Sequence, residues 1–223
     1  MRGKEKLFIA SFLAAFATAQ PKISGHLEFG IYSPELTGFE SSSLFPSPNS
    51  VTENILLGYG FLYQFYPNAR LGYASHVSLE LGNINTSPFT RTLTYREFVI
   101  ETFYRPWKRV EFNFSLGPMY NSGKITMTTE ATDAEWDALL SDFGNSGATV
   151  SRSDEMTTSW FGFSSSVGVR YHLMTWMSVE AKIGFMENWY DETGWEFQGE
   201  TVTGPVLNLE DIPVITTRVI FGW

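Results

Sequence analysis

The chain has 223 residues, of which 16% are aromatic and 17% charged, and its formal net charge is −9. This length allows one domain and excludes several separate cores. The acidic balance argues against nucleic acid as a partner, because no basic stripe is present to neutralise phosphates. The absence of cysteine excludes disulfides and thiolate metal sites. His26, His76 and His172 show no metal-ligand spacing, so neither a metal nor a cofactor is expected.

The N-terminal residues predict a cleavable secretory signal peptide over residues 1–19. This segment has a basic start, an apolar stretch over residues 7–17 and a small-x-small cleavage pattern at residues 17–19. The mature domain is therefore predicted to be residues 20–223, exported from the cytoplasm.

Eight segments of the mature chain alternate between apolar and polar side chains. A strand that spans an outer membrane needs about 9–11 residues, with apolar side chains toward lipid and polar ones toward the lumen. In the first segment Leu27 and Phe29 alternate with His26 and Glu28. The segments are 22–32, 54–66, 70–82, 97–105, 109–120, 161–171, 179–185 and 215–223. This pattern predicts an all-β fold, an eight-stranded antiparallel up-and-down transmembrane β-barrel.

The connections between these segments alternate in length. Tight turns are predicted at residues 67–69, 106–108 and around 174–175, and long loops at 33–50, 83–92, 121–157 and 190–213. Outer-membrane barrels have short periplasmic turns and long extracellular loops, so both termini are predicted to be periplasmic. The last two loops are acidic, with seven acids against two bases and six acids against none. A solvated face is the default interpretation of such charge.

The third long loop contains a helix signal. Thr132 and Glu135 form a capping box, and an apolar stripe then precedes Gly144, a typical residue after the end of a helix. The stripe consists of Trp136, Leu139, Leu140 and Phe143. Three uses for it stay open: capping the barrel mouth, resting on the lipopolysaccharide surface, or binding a partner.

Aromatic residues predict a belt at each membrane interface, where Tyr and Trp are enriched. The periplasmic belt is predicted from Tyr66, Tyr104, Trp107, Tyr171, Trp176 and Trp223. The outer belt is predicted from Tyr32, Tyr95, Tyr120, Trp160, Trp189 and Tyr190.

The final segment ends in alternating residues, Val219, Phe221 and Trp223, with the last of them aromatic. This ending resembles the C-terminal signature of outer-membrane barrels, and the chain as a whole is similar to the small OmpA/OmpX-like or OmpW-like barrels. The resemblance implies that these three residues are the signal read by the barrel-assembly machinery. It also implies a location in the bacterial outer membrane, with outer-membrane lipid and lipopolysaccharide as neighbours and an unspecified extracellular partner.

The predicted lumen carries charges of both signs. The candidate network consists of Glu28, Glu101, Glu111, Glu180, Lys182 and Arg218. The same parity directs Glu80, Glu97 and Arg170 to the lumen, and Lys22, Arg70, Arg105 and Arg109 are predicted nearer the periplasmic rim. The interior of an eight-stranded barrel is about filled by side chains, so buried charges must pair with one another. The main hypothesis is that these pairs close the lumen. A gated proton or ion path, in which the pairs switch partners, is the other interpretation.

These features favour a non-enzymatic barrel with a structural, envelope-integrity or surface-interaction role. The alternative is a narrow, porin-like channel for small or apolar solutes, with an inner wall formed by Leu56, Leu62 and the glycines at 58, 60, 162, 168 and 184. An enzyme that modifies lipid A is less favoured. His76 and Ser78 are similar to the His-x-Ser pair of the lipid A deacylases, but the alternation directs them to the lumen instead of the lipid.

Overall fold

The computed structural model describes residues 22–34, 54–84, 87–127, 133–144 and 155–222. The predicted signal peptide lies outside the described residues, as do Thr132 and Trp223. The strands are β1 (Ile23–Tyr32), β2 (Ile55–Tyr66), β3 (Ala69–Ile84), β4 (Ser87–Trp107), β5 (Val110–Met127), β6 (Glu155–His172), β7 (Met177–Trp189), β8 (Trp195–Phe197), β9 (Glu200–Val202) and β10 (Ile212–Gly222). One helix, α1, spans Asp133–Asp142. Within these residues, no helix has both the length and the apolarity needed to cross a membrane.

Eight of the strands close into a ring. Strands β1 to β6 each pair antiparallel with the strand that follows, and β10 pairs with both β7 and β1. In the closing seam between β1 and β10, Ser24 lies opposite Gly222 and Ile31 opposite Ile215. A closed ring satisfies every strand edge, which is the condition for crossing a membrane with strands. The predicted eight-stranded barrel is confirmed.

The outer surface of the ring is an apolar band of exposed side chains. Its members come from all eight strands and include Leu27, Phe29, Leu57, Phe61, Leu79, Phe98, Phe112, Phe114, Val167, Val169, Ile183, Phe185, Ile215 and Val219. A band this wide has no place on a water-soluble monomer, whereas lipid solvates it favourably. At the end with the tight turns, which we call the turn end, five aromatic residues of the predicted belt are exposed: Tyr66, Tyr104, Trp107, Tyr171 and Trp176.

Half of the barrel wall extends beyond the other half at the end opposite the turn end. Strands β3 to β6 contain 16 to 21 residues, whereas β1, β2, β7 and β10 contain 10 to 13. The predicted long loop at 83–92 is therefore wrong, because β3 continues to Ile84 and β4 starts at Ser87, directly opposite it. Above the membrane a strand has no lipid face, so the apolar alternation fades there and the segment resembles a loop.

The connection between β7 and β10 is also structured. It contains a 3-10 helix (Glu192–Gly194) and a hairpin of β8 and β9, whose turn residues Gln198 and Gly199 have φ values of 55° and 85°. Two positive φ values in succession are typical of a tight hairpin turn. Strand β8 pairs with the start of β6, where Met156 lies opposite Phe197. The hairpin thus covers the edge that β6 exposes beyond the end of β7.

The end opposite the turns, which we call the loop end, is filled by an apolar layer. Its buried members include Tyr32, Leu56, Leu93, Tyr95, Met119, Ile125, Leu139, Leu140, Met156, Trp160, Met186 and Trp195. The predicted helix is confirmed as α1, and Gly144 after it has a φ of 92°. Because Leu139 and Leu140 belong to this layer, α1 caps the barrel mouth, the first of the three uses left open.

The apolar layer corrects the predicted outer belt. Tyr32, Tyr95 and Trp160 are only 1%, 0% and 4% exposed, so they face the interior instead of lipid. Each occupies a position in its strand whose side chain faces the lumen, because alternate side chains of a strand face the same side. This strand geometry outweighs the general preference of Tyr and Trp for membrane interfaces. Their rings meet edge to face, Tyr32 with Tyr95 and Tyr95 with Trp160, at centroid distances of 5.9 and 6.4 Å.

Candidate functional site

Below the apolar layer, acidic and basic side chains alternate from strand to strand around the wall. Glu28 on β1 lies opposite Arg218 on β10, which lies opposite Glu180 on β7. Glu180 in turn lies opposite Arg170 on β6, which lies opposite Glu111 on β5. Directly opposed residues of one face have adjacent side chains, so five consecutive strands present alternating charge.

These neighbours form short ion pairs. The Nε of Arg218 donates to Oε2 of Glu28 at 2.6 Å, and its terminal nitrogen lies 3.6 Å from Glu180. The Nε of Arg170 donates to Oε2 of Glu180, also at 2.6 Å. The side chains are nearly or wholly excluded from solvent. Buried charges are tolerated in a protein only when they are paired and hydrogen-bonded in this way.

Other ion pairs cross the lumen between strands that are not neighbours. Arg170 on β6 donates to Glu101 on β4 at 3.0 Å, and Arg70 on β3 donates to Glu111 on β5 at 2.6 Å. Arg70 also donates to Glu101 at 2.7 Å. Lys182 on β7 donates to Ser115 and lies 3.8 Å from Glu101. The Arg70–Glu101 pair joins directly opposed residues of neighbouring strands. The other contacts pass over at least one intervening strand, so they fill the interior as well as line it.

We call this group the charged layer: Glu28, Arg70, Glu101, Glu111, Arg170, Glu180, Lys182 and Arg218. The six candidate network residues all lie in it. Two further members are Arg70 and Arg170, and each binds two or more carboxylates of the candidate residues; Arg170 was predicted to face the lumen, whereas Arg70 was predicted only near the rim. Arg70 is the second residue of β3 and so lies close to the turn end, but its side chain is only 5% exposed because it packs against Glu101 and Glu111. Strand register is the signal that would have identified it, because Arg70 lies opposite Glu101.

Two histidines extend the charged layer beside Glu28. The Nε2 atoms of His76 and His26 lie 3.0 and 3.8 Å from Oε2 of Glu28. Their rings occupy the space over the glycines of β2, since a Cβ at Gly58 would lie 2.5 Å from the His76 ring and one at Gly60 2.6 Å from the His26 ring. The pair that is similar to the deacylase motif is thus inside the barrel, with Ser78 wholly buried as well.

A second polar network lies at the loop end. The Nε1 of Trp195 donates to the Tyr190 hydroxyl at 2.7 Å, and that hydroxyl donates to the carbonyl of Pro205 at 2.6 Å. Burial raises the pKa of Tyr190 well above its ordinary value, so the hydroxyl keeps its proton. Asn188 on β7 forms a separate link between the barrel and the β7–β10 connection, because it accepts from Trp160 at 3.1 Å and donates to the carbonyl of Leu209 at 2.9 Å. Together these contacts anchor the β7–β10 connection over the mouth.

Two of the three C-terminal signal residues, Val219 and Phe221, lie on the outer face of β10. Val219 is exposed and Phe221 is partly exposed, with its ring stacked on Trp176 at a centroid distance of 6.2 Å. Trp223 lies outside the described residues. As for metals, the described residues contain no group of three or more His, Asp or Glu side chains placed to hold an ion.

A closed ring of eight antiparallel strands, an apolar outer band and a filled interior define the class: this chain has the fold of the small outer-membrane β-barrels. Among solved structures it is similar to Neisserial surface protein A, with 9% identity, 91% of this chain and 97% of that one covered, and a TM-score of 0.50. It is also similar to Ail of Yersinia pestis, solved with the heparin analogue sucrose octasulfate (9% identity, 92% and 98% covered, TM-score 0.49). OprG of Pseudomonas aeruginosa is a third (10% identity, 92% and 98% covered, TM-score 0.48). No protein-family model and no curated protein matches the sequence.

Proposed function

We propose that this protein is a structural barrel of the outer membrane that is closed to solutes and acts through its loop-end surface. The observation that carries the proposal is the set of ion pairs that cross the lumen from Arg170 to Glu101 and from Arg70 to Glu111. A solute on the barrel axis would have to separate these buried charges. Breaking such a pair costs about 3–5 kcal/mol when one partner is left without its counter-charge.

The inner surface that a channel would need is also occupied. The alternative of a narrow channel depended on open space at Leu56, Leu62 and the lumen glycines. Leu56 and Leu62 are each 1% exposed. The space at Gly58 and Gly60 is taken by histidine rings, and a Cβ at Gly168 would lie 2.7 Å from the Lys182 side chain. Small residues therefore serve here to admit large neighbours, which supports a closed interior over a channel.

The loop end is the proposed contact surface, and we place it outside the cell because the opposite end has the short turns. Described residues of the β7–β10 connection include exposed acids, and no base among them: Asp191, Glu196, Glu200, Glu210 and Asp211. An acidic surface favours a basic partner and disfavours bare lipid phosphates. Contact with lipopolysaccharide would then need divalent cations between the two.

Conductance in planar lipid bilayers tests closure. We expect the wild-type barrel to give no conductance steps above baseline. As a positive control, a charge-neutral variant that removes two bases and two acids from the charged layer should conduct: R70S/E101S/E111S/R170S. Heat-modified gel migration shows whether each preparation is a folded barrel. Regular, ohmic steps from the folded wild-type protein would refute the proposal and favour the channel.

A further inference from the structure

At the turn end the barrel interior opens into a cavity of about 600 Å³. Its floor includes Arg70 and Arg170 of the charged layer, and its rim includes Lys108, Arg109 and the turn between β6 and β7. We call it the turn-end cavity. Its volume lies within the range of about 300–1,000 Å³ that is usual for sites of small ligands. It is therefore a space for a ligand, unlike the 50 Å³ gap beside Glu28 deeper in the barrel.

The turn-end cavity is positively charged. Five described lining residues are Arg or Lys, a sixth is His172, and none of the described lining residues is an acid. The two guanidinium groups of the floor are held by carboxylates behind them. Arg105 also lines the cavity, and its side chain is 23% exposed. It binds Glu111 at 2.7 Å, but its Nε has no hydrogen-bond partner among the described residues.

The charges of the rim are in excess. Within the described residues, six acids of the barrel interior match six bases: Glu28, Glu80, Glu97, Glu101, Glu111 and Glu180 against Arg70, Arg91, Arg105, Arg170, Lys182 and Arg218. Lys108 and Arg109 add two positive charges and form no ion pair within the described part of the chain. Within the described residues, the Arg109 side chain hydrogen-bonds to a neutral group, the hydroxyl of Tyr171, at 3.5 Å. The described charged residues of the three turns are all basic.

We propose that the turn-end cavity is a binding site for a soluble anion that carries phosphate groups. Guanidinium groups match the geometry of phosphate oxygens, and hydrogen bonds between charged partners are stronger than neutral ones. A concave site lined by one sign of charge also concentrates counter-ions, because its low-dielectric walls focus the field. The strands separate this cavity from the bilayer, so a soluble ligand fits it better than a lipid headgroup. The ligand enters from the turn end and stops at the charged layer.

Calorimetric titration of the folded barrel in a zwitterionic detergent with inorganic tripolyphosphate tests this site. We expect saturable binding that weakens as salt is raised. The double variant K108Q/R109Q should bind about tenfold more weakly, since it loses two exposed charged contacts that are each worth about a factor of three. Each single variant should bind about threefold more weakly, which keeps the test valid if the double variant does not fold. The matched control R96Q/K124Q removes two positive charges toward the loop end and should bind as the wild type does.

Three results would overturn the proposal. The first is the absence of saturable tripolyphosphate binding by the folded wild type up to millimolar concentrations. The second is an equal loss of affinity in K108Q/R109Q and in the control, which would show only a general charge effect. The third is binding to phosphatidylglycerol in nanodiscs without binding to tripolyphosphate, which would identify a lipid contact on the outside of the wall.

Discussion

Replacing Arg170 by alanine should destabilise the barrel more than any exposed substitution. The side chain is 3% exposed and lies 2.6 Å from Glu180, 3.0 Å from Glu101 and 3.3 Å from Glu111. Glu101 and Glu111 keep Arg70 at 2.7 and 2.6 Å, so the substitution does not isolate them.

The loss therefore falls mainly on Glu180. Its remaining neighbours are the Asn113 amide at 2.9 Å, Arg218 at 3.6 Å and Lys182 at 4.0 Å. Leaving one buried carboxylate without its close counter-charge costs about 3–5 kcal/mol, and the surviving contacts point to the lower part of that range.

Equilibrium unfolding by urea in lipid vesicles, followed by tryptophan fluorescence, measures this free energy. The control is Arg109→Ala, an exposed residue at the same end of the barrel, for which a change within about 0.5 kcal/mol is expected. The double variant R170M/E180Q should recover part of the loss, because it removes both charges of the closest pair. A loss below about 1 kcal/mol in Arg170→Ala would refute the view that the charged layer holds the barrel together.

Three further substitutions test other parts of the structure by the same unfolding assay. Arg218→Ala should cost about 3–5 kcal/mol, since it removes the closest cation of a buried carboxylate. Gly184→Ala should cost about 1–3 kcal/mol, because its Cβ would lie 2.2 Å from the Ser165 carbonyl oxygen. Tyr190→Phe should cost about 1–3 kcal/mol, since it leaves the buried Trp195 N–H without an acceptor. Burial raises the pKa of Tyr190 in the folded barrel, so the stabilisation from its hydroxyl is complete below pH 10.0. As the pH rises further this stabilisation declines, and the difference in unfolding free energy between the wild type and Tyr190→Phe becomes smaller.

Each of these substitutions has a matched control. Lys108→Ala removes an exposed cation and controls for Arg218→Ala. Gly25→Ala places a Cβ no closer than 3.8 Å to any atom and controls for Gly184→Ala. Tyr120→Phe alters an exposed tyrosine and controls for Tyr190→Phe. An effect no larger than that of its control would contradict the corresponding prediction.

Alternation alone was enough to predict the barrel, because a lipid face and a lumen face impose opposite demands on successive residues. It failed above the membrane, where both faces of β3 and β4 lose that contrast. A cue in that segment was available, since Glu80 and Arg91 lie opposite each other and form a 3.0 Å ion pair. A pair of opposite charges supports a hairpin only after its register is assumed, and register is not contained in the periodicity.

The alternation predicted which side chains face the barrel interior, but not which of them form ion pairs with one another. Parity placed Glu28, Glu101 and Arg218 in the lumen, whereas the central roles of Arg70 and Arg170 depend on which strands meet across the ring. The apolar layer was missed for a related reason. Tyr95 and Trp160 were assigned to an interfacial belt by residue type, although their parity directs them inward.

The alternating charges also provide a reason for keeping such costly groups inside a membrane barrel, since they specify the register of β7. Glu180 and Lys182 lie on the same face, two residues apart, and Glu180 lies between Arg218 and Arg170. A slip of two residues that replaced Glu180 by Lys182 would place a cation between these two arginines. Polar groups that penalise wrong pairings are a known means of specifying structure.

Exchanging the two residues, as E180K/K182E, reverses this preference and predicts loss of the native register. Because the chain has no cysteine, engineered pairs report the register directly. In the native ring Ile215 lies opposite Ile183, so I183C/I215C should form a disulfide in an otherwise unchanged barrel. In the exchanged variant this cross-link should fail, and F185C/I215C should form instead if the barrel closes, because the carboxylate introduced at position 182 would then face Arg218. A native cross-link at full yield with unchanged unfolding would show that register is determined elsewhere, by the turns and the apolar layer.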